Sequence, residues 1–378
     1  MDGGPSHIDT FDPKPGSPHG GTFRAIGTRS GFQLSEHLPR LAQNSGKIAV
    51  VRNMTSPELD HGRGSYYLRN GYRPQESVDY PAMGSIFARE LAAEDSAIPP
   101  FVAVTPFVDP LFGGGPGCLG DSFAPFVVEN PGDVPGILSV PEGVAPERHA
   151  RRLRFHAEFE RGLEARLEAE ARDARDLREK AIRYMDGPLA GVLDLSGEDP
   201  ALRARYGEDE GEYTRFGQSC LLARRLVESG VRFVEITMEN GWDTHEDNFV
   251  TTRDNCRHFD PGLAALLEDL DRRGLLDSTL VLCGGEFGRT PAINETGGRD
   301  HHGDAFSFLL AGGGVRGGQA VGEPDADGAQ PVGTAYQFPD LFATAAVLAG
   351  IDPDEQYLTP EGRPIRIAEY SRFVKEVL

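Results

Sequence analysis

Trp242-Asp243-Thr244-His245 places an aspartate and a histidine two positions apart, just after an apolar run at 232–237. A loop there can turn both side chains toward one divalent cation, because imidazole nitrogen and carboxylate oxygen serve the same ions. Four other segments offer related chemistry. Asp2, His7 and Asp9 flank the turn Gly3-Gly4-Pro5, where the missing side chains let a ligand approach the backbone. Asp60-His61-Gly62-Arg63 sets an imidazole and a guanidinium at a prospective helix start, a position that suits an anion. Glu286-Phe287-Gly288-Arg289 ends an apolar run with a carboxylate whose burial is costly unless it is paired or coordinated. Arg289 is then either its ion-pair partner or a planar clamp for a phosphate or sulfate group. Arg299-Asp300-His301-His302 supplies adjacent histidines that normally point different ways, so at most one joins a site, as a neutral donor or as an acid/base.

Each segment also has a plain structural reading. Residues 2–9 can be a capped surface turn, Asp243 a helix cap bonded to His245, and Glu286 with Arg289 a structural ion pair. Together, three histidine–carboxylate clusters and an arginine in the loops of one sheet point to a hydrolase-type metal site.

The elements that must position these groups are short. Apolar runs at 47–52, 100–105, 232–237, 279–283 and 307–311 read as buried strands. Helices are expected at 216–229, 261–273 and 339–349, with Gly230 and Gly274 closing the first two. A further helix start lies at 64–69. This alternation predicts one α/β domain over residues 1–378: a mostly parallel central sheet with helices on both faces. Functional loops of such a sheet gather beyond the carboxyl ends of its strands, where Asp243, His245 and Glu286 fall. Residues 106–145, rich in glycine and proline, read as an irregular lid. Residues 146–186 read as a long charged helix whose apolar stripe (Leu153, Phe159, Leu163, Leu167) packs on the body. The opening Met1–Pro5 is already a turn; a fold of this kind delivers such a loop from a buried strand. A strand and an export signal are therefore expected upstream.

Composition removes several function classes. A formal charge of −21 repels a phosphate backbone, which argues against nucleic-acid binding. No apolar run reaches the roughly 18 residues of a membrane helix. The four cysteines form no CxxC pair; Cys220 and Cys283 sit in core-like contexts, and a Cys118–Cys256 disulfide is left open.

Taken together, residues 3–15, 223–228, 241–245, 285–291 and 298–301 resemble the DUF1501 family, which is linked to the alkaline phosphatase/sulfatase superfamily. The resemblance implies an alkaline-phosphatase-like fold. It also implies a divalent ion (zinc, calcium, magnesium or manganese) held by Asp2, Asp243, His245, Glu286 and His301. Counting back from Asn70-Gly71 puts His61 where enzymes of the superfamily carry a Ser, Thr or Cys nucleophile. His61 is thus expected as nucleophile or general base, Arg289 as the anion clamp, and His7 as a further catalytic residue. Many members carry Trp in place of His302, which removes it from the expected set. The implied activity is hydrolysis of phosphate or sulfate esters of a small anionic molecule or glycan, in an exported protein. The alternatives are a non-catalytic anionic-ligand or glycan-binding protein on the same scaffold, and an assembly component whose histidines are merely packed.

Overall fold

The computed structural model describes residues 1–93, 95–105, 112–140, 143–145, 147–149, 151–155, 158, 169–207, 214–238, 241–368 and 372–378. Its main strands are β1 (Ile48–Met54), β2 (Phe101–Val104), β3 (Phe126–Val128), β4 (Phe233–Ile236), β5 (Val281–Cys283), β6 (Gly288–Arg289), β7 (His301–His302), β8 (Phe306–Ala311) and β9 (Gln319–Val321). Its main helices are α1 (His61–Asn70), α2 (Met83–Leu91), α3 (Ala169–Asp186), α4 (Thr214–Glu228), α5 (Asn248–Arg272) and α6 (Phe338–Leu348).

The expected single, mostly parallel sheet is not formed. A three-stranded sheet, β3-β2-β4, is parallel throughout, and a separate four-stranded sheet runs β9-β1-β8-β5. In the second, β9 is parallel to β1, while β8 is antiparallel to both β1 and β5. The physical reason lies in the connection between β5 and β8. Parallel neighbours need a crossover, usually a helix. Residues 284–305 hold no helix, only the small antiparallel ribbon β6–β7, so the chain returns in the opposite direction.

Most other elements lie within two residues of their expected positions. The helix read from Pro261 instead begins at Asn248 and runs through that proline. Proline suits the first turn of a helix, which makes it look like a start. Here apolar burial on both sides of it, from Cys256 and Phe259 to Leu263 and Leu267, holds the helix continuous. The lid segment contributes β3 to the parallel sheet, and residues 106–111 and 141–142 lie outside the described residues. Of the charged stretch, α3 is helical and Leu153 is half-buried, whereas Phe159, Leu163 and Leu167 lie outside the described residues.

The main core packs α4 and α5 with Phe11, Leu34, Leu38 and Trp242, so the first loop of the chain is part of the interior. All four cysteines are free thiols, which settles the open Cys118–Cys256 question. No described helix is long and apolar enough to cross a membrane.

Candidate metal centre

α1 starts at His61 because extended Asp60 caps it, its Oδ1 accepting the Arg63 N–H at 3.0 Å. That cap fixes the His61 ring in the first turn. Glu286 follows β5 through Gly284-Gly285, and Asp243 and His245 follow β4. His301 stands on the β6–β7 ribbon, paired with Arg289 in register. Gly3, at φ +103°, lies so close to the Trp242–Asp243 peptide that a Cβ would collide with its backbone. The chain start therefore presses directly on the Asp243 loop.

Three imidazoles turn the same way. His61 Nδ1 lies 2.7 Å from Glu286 Oε1, His301 Nδ1 2.6 Å from the Leu59 carbonyl, and His245 Nδ1 3.1 Å from Asp300 Oδ1. Each Nδ1 faces an acceptor and so donates, which leaves each Nε2 with its lone pair. Those Nε2 atoms converge on Asp243. His61 Nε2 is 3.3 Å from Asp243 Oδ2; His301 Nε2 and His245 Nε2 are 3.3 and 3.2 Å from Oδ1, and 3.0 Å from each other. Donor atoms of His61, Asp243 and His301 all lie within 4.8 Å of one another. Two nitrogens bound tetrahedrally at about 2.0–2.1 Å from one zinc ion would sit about 3.3 Å apart, so the observed spacing suits a shared cation. His61 Nε2 is also buried without a hydrogen-bond partner. Histidine ligands typically have the other ring nitrogen bonded to a carboxylate or carbonyl, as all three do here.

Burial works to lower His61, but the hydrogen bond and charge of Glu286, with Asp243, raise it overall. A cation and a proton would compete for that Nε2. Burial lowers His301, keeping the ring neutral. Burial works to raise Asp243, but the adjacent Arg289 guanidinium holds it below the usual carboxylate range.

The expected residues divide as follows. Asp243, His245 and His301 meet, and His61 joins them with Nδ1 bonded to Glu286 and Nε2 turned toward Asp243. Glu286, 1% exposed, does not belong to the compact donor group; it holds His61 in place and accepts the Gly3 N–H at 3.1 Å. Asp2 also lies outside that group, its backbone bridging Met238 and Trp242. Arg289 is turned inward and not toward an anion: it is 0% exposed, and four of its five N–H donors go to the Gly3, Gly4 and Arg299 carbonyls and to Asp243. His7 stands apart, buried and bonded to the Gly328 carbonyl at 2.8 Å. His302 turns away to the Ala329 carbonyl, as expected of adjacent histidines. Asp300 and the Leu59 carbonyl, which orient two of the imidazoles, escaped the sequence reading. Asp300 gave a signal in standing one residue before His301; Leu59 gave none.

Two solved structures overlap the chain weakly. A crystal structure of Ps i-CgsB in complex with k-i-k-neocarrahexaose shares 13% identity at a TM-score of 0.39, covering 83% of this chain and 67% of that one. A second crystal structure of Ps i-CgsB gives 11% and 0.38 over the same shares. No curated protein matches the chain. The family model DUF1501, described as a protein of unknown function, matches residues 1–378, and the chain belongs to that family.

Proposed function

We propose that Asp243, His61 and His301 form a divalent-metal centre at which the chain hydrolyses phosphate or sulfate esters of small molecules or glycans. The observation that carries this reading is the convergence of imidazole lone pairs, each with its opposite nitrogen tied down, on one carboxylate. An imidazole-rich set favours zinc over calcium or magnesium, which prefer oxygen donors. Three protein donors leave a position open, the pattern of catalytic rather than structural zinc. Bound there, the ion supplies Lewis acidity toward an ester oxygen.

The chain's own groups do the rest. His245 is the most open of the three imidazoles, with 44% of its side chain exposed, and Asp300 orients it. Its Nε2 faces the donor cluster and is placed to take a proton from attacking water. Arg289 serves by fixing Asp243.

A second reading has one observation in its favour. No Ser, Thr or Cys side chain is seen to join the cluster among the described residues, which suits metal-dependent binding of an anion without turnover. The discriminating experiment supplies zinc, manganese, magnesium or calcium to purified protein and follows p-nitrophenyl phosphate and p-nitrophenyl sulfate. Metal-stimulated release, falling at least 100-fold in Asp243→Asn and in His245→Ala, is expected. Release that ignores metal and both substitutions refutes the hydrolase reading; metal-dependent binding of the esters without release establishes the second one.

A further inference from the structure

Asp60-His61-Gly62-Arg63 sets an imidazole and a guanidinium at one helix start, and the metal centre engages only the imidazole. The guanidinium is held by another group. Glu58, 4% exposed, accepts Arg63 Nε on Oε2 at 2.8 Å and Arg63 Nη2 on Oε1 at 3.0 Å. Its Oε1 also accepts Arg73 Nε. Two guanidiniums therefore share one buried carboxylate. Asp60, the other acid beside Arg63, is turned to the cap of α1. An exposed arginine with a carboxylate to itself, as Arg24 has Glu36, is neutralised within its pair. Glu58 cannot cancel both of its partners.

Neither arginine is saturated. A guanidinium carries five N–H donors in a planar fork. Arg63 gives two to Glu58 and Arg73 gives one, and the rest meet no protein acceptor among the described residues. The two side chains are 49% and 52% exposed, so their open edges face solvent. A free arginine loses rotamer freedom when it grips a ligand. Glu58 has already restricted these two, which lowers the cost of binding.

One short stretch of chain ties this pair to the metal centre. Glu58 braces the arginines, the Leu59 carbonyl faces His301 Nδ1, Asp60 caps α1, and His61 turns Nε2 toward Asp243. His61 and Arg63 are two residues apart in the first turn of α1, which sends their side chains to opposite sides of the helix. The two positions are thus on the order of 10 Å apart, the diameter of a helix with its side chains.

We propose that Arg63 and Arg73 form a second anion subsite, which takes a sulfate, phosphate or carboxylate group of the same substrate whose ester lies at the metal centre. The planar fork of arginine matches such oxyanions bidentately. The substrate class is then a molecule with two anionic groups about 10 Å apart, such as an oligosaccharide charged on more than one sugar. The proposal deepens the ester-hydrolase reading and takes its first anchor from it.

The test is calorimetry on the zinc-loaded 378-residue chain with phosphonates, which are not hydrolysed: propylphosphonate, propane bisphosphonate and octane bisphosphonate, the last two carrying a group at each end. The long bisphosphonate should bind at least 10-fold tighter than the monophosphonate. The short one cannot span the two positions and should gain only about 2-fold, the factor for two equivalent ends. Arg63→Gln and Arg73→Gln should each cut the advantage of the long probe at least 5-fold, with unchanged zinc stoichiometry as the check on folding. No advantage in the parent chain, or one that both substitutions leave intact, overturns the subsite. Failure of the hydrolase reading is separate, because the probes require no turnover. If zinc itself does not bind, inorganic phosphate added to metal-free protein should shift the Nε–H NMR signals that disappear in Arg63→Gln and Arg73→Gln. Signals that do not move then overturn the subsite.

Discussion

At the scale of single residues, neighbours decide what each ionisable side chain becomes. Arg289 looks in sequence like an anion clamp three positions from a carboxylate. In the fold its guanidinium is turned to the carbonyls of Gly3 and Gly4, far away along the chain, and to Asp243. That reversal could not be read from local spacing. That Asp243 and His301 come together was legible, because loops of an α/β sheet gather beyond the carboxyl ends of its strands. His7 shows the opposite outcome. Burial, its largest influence, lowers it from 6.5 to about 4, against weaker opposing effects of Asp12 and the Gly328 bond. The folded chain keeps His7 neutral while the unfolded chain takes up a proton between those values. Stability is therefore full above pH 6.5 and is lost as pH falls toward about 4, by on the order of 3 kcal/mol from this residue. Denaturant midpoints at pH 7.5 and 4.5 should differ less in His7→Gln, whose amide keeps a donor for Gly328. An undiminished difference would assign the acid sensitivity to other groups.

At the scale of elements, the site depends on where short helices and loops begin. Asp60 caps α1, and His61 is the first residue after that cap. Asp60→Ala should cost about 1 kcal/mol of stability, the usual value of an N-cap, and weaken metal binding while leaving every proposed donor in place. Denaturant titration and metal titration of the same variant check both halves; unchanged metal affinity would show that the cap does not set the His61 ring. Helices and strands were readable to within a residue or two where apolar periodicity was strong, as in β1 and α6. The reading failed at Pro261, where packing overrides a local start signal, and at β3, where a three-residue strand is too short to show a period.

At the scale of the whole molecule, two sheets share one rim, and residues from four distant segments meet there although 240 positions separate His61 from His301. Helix and strand alternation made an α/β fold legible. It could not reveal that residues 284–305 lack a crossover helix and so reverse β8. A chain with a formal charge of −21 repels anions in general, so an anionic ester needs a local positive centre, and Arg289 is not available to supply it. The central claim is thus that the cluster holds a cation. Calorimetric titration of metal-stripped protein with zinc at pH 7.5 should show one site with micromolar or tighter affinity. Zinc and a proton compete for the His61 Nε2, whose proton affinity, despite burial, is raised by Glu286, so metal affinity should fall as pH is lowered. His61→Ala and Asp243→Ala should each weaken binding at least 10-fold. Absence of stoichiometric binding, or binding that both substitutions leave intact, would contradict the metal centre.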